Sequence, residues 1–530
     1  MKPAFPHLPL AARTDTDAVR PRPHIILAGA TMAVVALVAV TAAAVNGDLA
    51  PREGPRAIEA PLGIAALSPE SVPLGSGNFL LTVSGSGYEA GTTVLWNGER
   101  RATQVLSPRR LAAWITAADA ARPGPHVVTV ATPGVGRSSA MYVTTYERAE
   151  LDARADRVLG QPGFAAKMPY HPDVGAERDG VVNAAGFDRL GPQGTAVDPA
   201  SGRLFVVESR AARILSWPSA RAFQNAEAAD IVIGQPDEFS AGPKPADART
   251  FCAPQSVAVD PAGSAYVSDD CYNRVLRFDP PFASGMAAAA VYGQGGSFET
   301  TASNRGGRSR ASLSSPLGVA VNAEALFVHD AGNRRVLVFK QPRSRATADA
   351  VIGQADANAF DAAPASATRL AAGEGALALD AAGRLYVADS AGNRVLRFSP
   401  PFRSAMAADL VLGQRDFAQV GRSNLAGGLW RPAALAFDGG GNLLVADAGN
   451  HRVVRYAAPL ASGMSASGLL GQAGFGTGSP GVGRSRFATP SGIAVDAGGD
   501  VIVADAGNAR VLAFDRPFPV TGTGTLARSR

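Results

Sequence analysis

The 530-residue chain predicts an all-β protein: a six-bladed β-propeller preceded by a β-sandwich and one N-terminal transmembrane helix. Two markers with one period carry the propeller. Gly-Gln stands at Gly160, Gly234, Gly293, Gly353, Gly413 and Gly471, and an Arg opening an apolar run stands at Arg213, Arg274, Arg335, Arg394, Arg452 and Arg510. Apart from the first Gly-Gln step of 74, both series step by 58 to 61 residues, which marks one supersecondary unit per repeat. Composition agrees: 59 glycines and 38 prolines suit short strands joined by turns and exclude a helical bundle.

Composition also bounds the rest. At roughly 150 residues per domain the length allows about three units. With 46% hydrophobic and 18% charged residues the chain is not intrinsically disordered. Two cysteines exclude a disulfide-dense scaffold, and six histidines leave a metal mostly oxygen ligands. The net charge of +5 rests on 46 arginines against four lysines. Those arginines recur at fixed repeat positions, without basic blocks or interleaved aromatics, so no nucleic-acid partner is expected.

Residues 1–24, with Pro3, Pro6, Pro9, Pro21 and Pro23, read as a disordered cytoplasmic tail. Residues 25–45 carry no charge and are long enough, at about 1.5 Å per residue, to cross a hydrocarbon core of about 30 Å. Lys2, Arg13, Arg20 and Arg22 before this run outnumber Arg52 and Arg56 after it. The positive-inside rule then places everything downstream outside the cytoplasm, in the periplasm or at the cell surface. A signal peptide cleaved at Ala42, Ala43 and Ala44, giving a secreted protein, is the competing reading; an apolar run beyond about 15 residues favours the anchor.

Residues 58–145 alternate short apolar runs with turns, at residues 79–83, 93–96, 111–115 and 127–130. Asn97-Gly98 follows one run directly and accepts the positive φ of a two-residue hairpin. A β-sandwich follows. The order of residues 67–73, 83–88 and 94–98 resembles the IPT/TIG immunoglobulin-like family, which implies a spacer or interaction module without an active site. Trp96 and Trp114 are expected in its core rather than on a ligand platform.

Residues 154–518 make the propeller. Each repeat reads as four strands, as in residues 491–495, 501–504 and 510–514, with residues 409–413 showing the fourth. Four-stranded units arranged radially form a propeller. The segments Val445-Ala446-Asp447-Ala448-Gly449-Asn450-His451-Arg452-Val453 and Val503-Ala504-Asp505-Ala506-Gly507-Asn508-Ala509-Arg510-Val511 resemble the NHL repeat, a match spanning about residues 156–518. Glu208 and Ala211 make the first copy the weakest. The chain runs out after the third strand of the last repeat, while a fourth-strand signature at residues 156–161 precedes the first. Strand 156–161 is therefore expected to complete the last blade, since a closed ring leaves no unpaired edge. The sandwich is then expected beside the closing blade, and residues 519–530 as a disordered tail.

An acid stands five residues before each third-strand Arg: Glu208/Arg213, Asp269/Arg274, Asp330/Arg335, Asp389/Arg394, Asp447/Arg452 and Asp505/Arg510. Six copies imply architecture: the acid takes backbone N–H groups in the turn and the Arg forks onto it or onto a neighbouring blade. The interblade loops share a face with the loops joining second to third strands. They carry Arg308, Arg310, Arg422, Arg484 and Arg486 in Gly-Arg-Ser segments, the expected contact face for a protein, peptide or glycan. A merely solubilising turn accounts for Gly-Arg-Ser equally well. Cys252 and Cys271 lie equidistant from the turn at residues 260–263, which pairs them across a hairpin as a disulfide suited to an oxidising exterior.

The resemblance also implies an enzymatic alternative, because NHL-like propellers include zinc lyases and related six-bladed propellers include calcium-dependent lactonases. The propeller offers only His171, His329 and His451, at non-equivalent places, and no Gly-x-Ser-x-Gly or His-Glu-x-x-His segment occurs. No cofactor is expected, with calcium on Asp and Glu oxygens left open. Asp198, Asp260, Asp380, Asp438 and Asp496 read as turn formers.

Overall fold

The computed structural model describes residues 61–69, 71–73, 78–122, 124–146, 153–161, 163–166, 186–187, 191–360 and 364–518. The expected membrane span, both terminal tails and His171 lie outside them. Among the described residues no helix is long and apolar enough to cross a membrane.

Two sheets form the N-terminal part. One orders Gly63–Ser68, Phe79–Ser86, Arg110–Ile115 and Thr103–Ser107; the other holds Ser71–Pro73, Met141–Tyr146, Gly124–Thr132, Thr93–Trp96 and Glu99–Arg100, with Gly136–Arg137 on Gly124–Thr132. Both contribute to one core that includes Leu81, Val83, Leu111, Val94, Val128 and Val130. Asn97 and Gly98, at φ 52° and 88°, turn Thr93–Trp96 onto Glu99–Arg100. Trp96 lies in the core, stacked on His126 at 4.7 Å, with its indole N–H donating to the Asp119 carbonyl at 3.0 Å. Trp114 is a correction. Its side chain points off the sheet and is 48% exposed beside Leu80, its cross-strand partner. Strand alternation explains the difference: Leu111, Ala113 and Ile115 take the inner face, which leaves position 114 outside.

Among the described residues six four-stranded antiparallel sheets follow, and the fold is all-β and propeller-like. Sheets 1 to 6 begin on the inner strands Gly194–Val197, Pro254–Val259, Pro316–Val321, Leu377–Leu379, Pro432–Phe437 and Pro490–Val495. Sheet 5 is representative, running outward through Leu443–Asp447, Arg452–Tyr456 and Gly468–Leu470. Every second and third strand has apolar side chains on both faces because it is covered by a sheet on each side. Six apolar clusters, each drawn from two neighbouring sheets, run around the ring, including one between sheets 6 and 1. Inner positions are small: Ala196, Ala258, Ala320, Ala378, Ala436 and Ala494 occupy one level of all six strands.

Sheet 6 takes its outer strand from upstream. Arg157–Leu159 pairs antiparallel with Arg510–Phe514, in the register Val158 to Leu512. Ion pairs reinforce this seam: Arg157 meets Asp515 at 2.5 Å, and Arg221 of sheet 1 reaches Asp496 of sheet 6 at 2.6 Å. Sandwich and propeller are tied by the Arg415 guanidinium, which donates to the Ile64 carbonyl at 2.8 Å. Arg415 follows the outer strand of sheet 4, so this tie falls on the loop between sheets 4 and 5 rather than on the closing sheet.

Candidate functional site

The second-to-third-strand turns and the loops between sheets build one face, and the repeated motifs hold its backbone. In the turn of sheet 5 the Asp447 carboxylate accepts from the Trp430 N–H at 2.7 Å, the Asn450 amide at 2.8 Å and Arg452 Nε at 2.7 Å. The remaining guanidinium nitrogens of Arg452 donate to the carbonyls of Asn424 at 2.6 Å, Leu425 at 3.1 Å and Gly428 at 3.2 Å. Those carbonyls belong to the loop entering sheet 5, while each of Arg274, Arg335, Arg394 and Arg510 grips both the loop entering its own sheet and the loop leaving it. Asp269/Arg274, Asp330/Arg335, Asp389/Arg394 and Asp505/Arg510 pair at 2.7–3.1 Å, and the deviant Glu208 pairs with Arg213 at 2.5 Å. All six pairs are buried. Burial pushes the five Asp carboxyls up, and each guanidinium and its neighbouring N–H donors act against that push.

Gly-Gln does the complementary work. The Gln472 amide donates to the His451 carbonyl at 3.0 Å in the turn and to the Ser479 carbonyl at 2.9 Å in the loop, as Gln235, Gln294 and Gln414 do in their repeats. Gly471 sits at φ 90°, and a Cβ there would come within 2.1 Å of the Phe487 ring. Only glycine fits. The acids at the first turns are turn formers: Asp260 accepts from the N–H groups of Ala262 and Ser264 at 2.9 Å, and Asp438 from those of Gly440 and Asn442. Cys252 and Cys271 are joined as a disulfide, Cα to Cα 5.8 Å, on this same face. Their counterparts in sheet 5 are Trp430 and Gly449, where a Cβ on the glycine would meet the indole at 2.5 Å. Sheets 3 and 6 bring the same two positions together, Gly332 against Ser314 and Gly507 against Ala488, and sheet 2 makes the contact covalent.

The arginines predicted for the contact face divide into two groups. Arg308 bonds the Asn333 side chain at 2.8 Å and the Asn358 carbonyl at 3.1 Å, and lies 4.9 Å from the Phe360 ring; Arg310 donates to the Asp349 carbonyl at 2.7 Å. Arg422 lies 4.8 Å from the Trp430 ring, and Arg484 lies 4.5 Å from the Phe164 ring while donating to the Ala155 carbonyl at 2.8 Å. Arg486 bonds the Ser479 carbonyl at 3.5 Å. The loops bearing Arg422 and Arg484 touch each other: the Asn424 amide donates to the Gly476 carbonyl at 2.8 Å, and the Gly476 N–H donates back at 3.0 Å. The loop of Arg308 and Arg310 belongs to a different sector, between sheets 2 and 3.

At the centre is a channel of about 1080 Å³ lined by all six inner strands. Its walls are mostly Ala, Gly, Val and Leu, and its charged lining residues are Asp270, Glu374 and Arg431. Arg431 pairs with Glu374 at 3.2 Å, and Asp270 accepts from the Ser315 hydroxyl at 2.5 Å. All three lie in second-to-third-strand turns or just before inner strands, so this mouth opens on the loop face. Sequence reasoning did not single them out. It also passed over a recurring aromatic three to six residues after each Gln, at Phe164, Phe239, Phe298, Phe360, Phe417 and Phe475, which is the readable signal of the rim. Among the described residues, the large apolar side chains exposed on the propeller all sit in these loops: Phe239, Phe360, Val420, Leu425 and Val482. Among the described residues no three His, Cys, Asp or Glu side chains converge as a metal site. His329 is buried against Gly375 of the next sheet, and His451 accepts from the Thr489 N–H at 2.9 Å.

The NHL repeat family model matches residues 429–456 and 487–514. Each match starts before an inner strand and stops with the third strand of its sheet. No curated protein matches. Similar solved structures include a structural genomics protein of unknown function from Bacteroides thetaiotaomicron, 14% identical, with TM-score 0.43 over 87% of this chain and 98% of that one. An auxiliary nutrient binding protein from the same organism is 11% identical, with TM-score 0.39 over 86% and 97%. Virginiamycin B lyase from Staphylococcus aureus is 13% identical, with TM-score 0.35 over 62% and 95%.

Proposed function

We propose a membrane-anchored, extracytoplasmic binding protein in which an IPT/TIG-type immunoglobulin-like sandwich carries a six-bladed NHL-type propeller, and the loop face of that propeller recognises a protein, peptide or glycan. One observation carries the reading: among the described residues, the exposed large apolar side chains of the propeller all stand on that face, around the polar mouth of the channel. Exposed apolar groups gathered on one face of a rigid scaffold mark interaction sites. The arginines there are held by aromatic rings and backbone carbonyls, so little side-chain entropy is lost when a ligand meets them.

The test is affinity capture from envelope extract by the full chain, with the bound species identified by mass spectrometry. A specific partner lost on Phe239→Ser, Phe360→Ser and Leu425→Ser together, in a variant that melts like the parent, is the expected result. Undiminished capture by that variant, or turnover of model lactones by the parent chain, overturns the reading.

A further inference from the structure

Resting on the loop-face reading, we propose that one sector of that face, built from residues 415–431 and 473–489, docks an acidic peptide segment of another protein that carries apolar side chains between its carboxylates. The two stretches form one surface through the reciprocal bonds of Asn424 and Gly476. Together they hold Arg415, Arg422, Arg431, Arg484 and Arg486 against a single acid, Asp416. One carboxylate oxygen of Asp416 already accepts the N–H groups of Ala418 at 2.9 Å and Gln419 at 3.1 Å. Arg431 pairs with Glu374, and among the described residues no carboxylate lies within ion-pair distance of the other four arginines. The sector is an unneutralised cationic surface.

Apolar chemistry then narrows the anion. Val420, Leu425 and Val482 are 43%, 51% and 42% exposed within these same stretches, so a complementary ligand alternates negative charge with apolar side chains. A peptide does this; a sulfated glycan and an RNA strand do not. Polarity changes elsewhere on the face, since residues 236–253 carry Asp237, Glu238 and Asp247 against Lys244 and Arg249. That loop therefore repels an acidic segment, which adds to the attraction of the arginine sector. Arg415, at the edge of the sector, also donates to the sandwich at Ile64, so the docking surface abuts that domain.

Fluorescence anisotropy with the full chain tests this, using a labelled twelve-residue peptide of alternating Asp or Glu and Leu or Val. Comparators are the same peptide with Lys for every acid, an all-Asp peptide, a sulfated glycan and a single-stranded RNA. The acidic apolar peptide should bind at least about tenfold tighter than each comparator, and both Arg422→Glu with Arg486→Glu and Leu425→Asp with Val482→Asp should weaken it by about tenfold or more. Arg345→Glu, on the opposite face, should leave binding unchanged. No peptide binding by the parent chain, equal binding of the glycan or RNA, or full binding by both double variants overturns the proposal. Extract capture lost on the Phe239, Phe360 and Leu425 changes would still uphold the loop-face reading in that event, so the two failures are distinguishable.

Discussion

At the scale of single residues, the repeat is held by buried polar groups that bond one another and the backbone they organise. Arg452 makes one ion pair and three carbonyl bonds with no exposure of its side chain, so Arg452→Met leaves Asp447 buried without its counter-charge. Removing one member of such a pair costs about 3–5 kcal/mol. Lys cannot reproduce the fork. Denaturant unfolding should place Arg452→Met and Arg452→Lys both well below the parent. His329 supplies a pH-dependent counterpart. Burial pushes its imidazole down from 6.5 to about 4, its Nδ1 has no hydrogen-bond partner, and a Cβ on Gly375 would meet its ring at 2.6 Å. The unfolded chain takes up a proton at this side chain at higher pH than the folded one does. The contribution is therefore complete above pH 6.5 and is lost as pH falls toward 4, by about 3 kcal/mol in all. Ser268 occupies the equivalent place in sheet 2 and donates its hydroxyl to the Leu317 carbonyl at 2.5 Å. His329→Ser should flatten the acid limb of stability against pH between 6.5 and 4; an unchanged limb would mean that another group sets it.

At the scale of elements, the propeller was legible because its motifs repeat backbone problems, not ligands. Gly-Gln recurs because a positive φ, a ring packed against the glycine and an amide bridging turn to loop recur together, as at Gly471 and Gln472. Family matching and strand reading meet on the same two segments around Asp447 and Asp505. The disulfide was legible too, since hairpin symmetry places Cys252 within one residue of Cys271, and a register shift between Pro254 and Ser256 sets the two directly opposite each other. Removing it by Cys252→Ser with Cys271→Ser opens a loop of about 20 residues and should cost roughly 3 kcal/mol, read as a lower denaturation midpoint, with no thiol titratable in the unreduced parent. What sequence reading missed depends on which of several chemically equal residues the ring turns outward. Trp114 and Trp96 look alike in the chain, and only strand phase separates them. Asp270, Glu374 and Arg431 come from three different repeats and line one channel only because the inner strands converge on one axis.

At the scale of the whole molecule, the ring is closed by contacts of very long sequence separation. Arg157–Leu159 must find Arg510–Phe514, Arg510 must bond the Phe164 carbonyl, and Arg221 must reach Asp496. Val158 and Leu159 are fully buried in the clusters that join sheet 6 to its neighbours. Burying two such side chains stabilises by about 3–6 kcal/mol, comparable with the net stability of a domain. A chain beginning at residue 191 would expose the third strand of sheet 6 as an unpaired edge and lose the Arg157 and Phe164 contacts together. It should melt well below the full chain, over a broader range, and be cut by protease near residues 510–518. A synthetic peptide of residues 153–166 supplied in trans restores the missing strand and its contacts with Arg510 and Asp515. Its binding should raise the melting temperature with peptide concentration, as expected for a ligand of the folded state alone. The same peptide with Val158→Asp and Leu159→Asp should do nothing. An unchanged melt for the shortened chain, or rescue by the substituted peptide, would show that the ring does not depend on this strand.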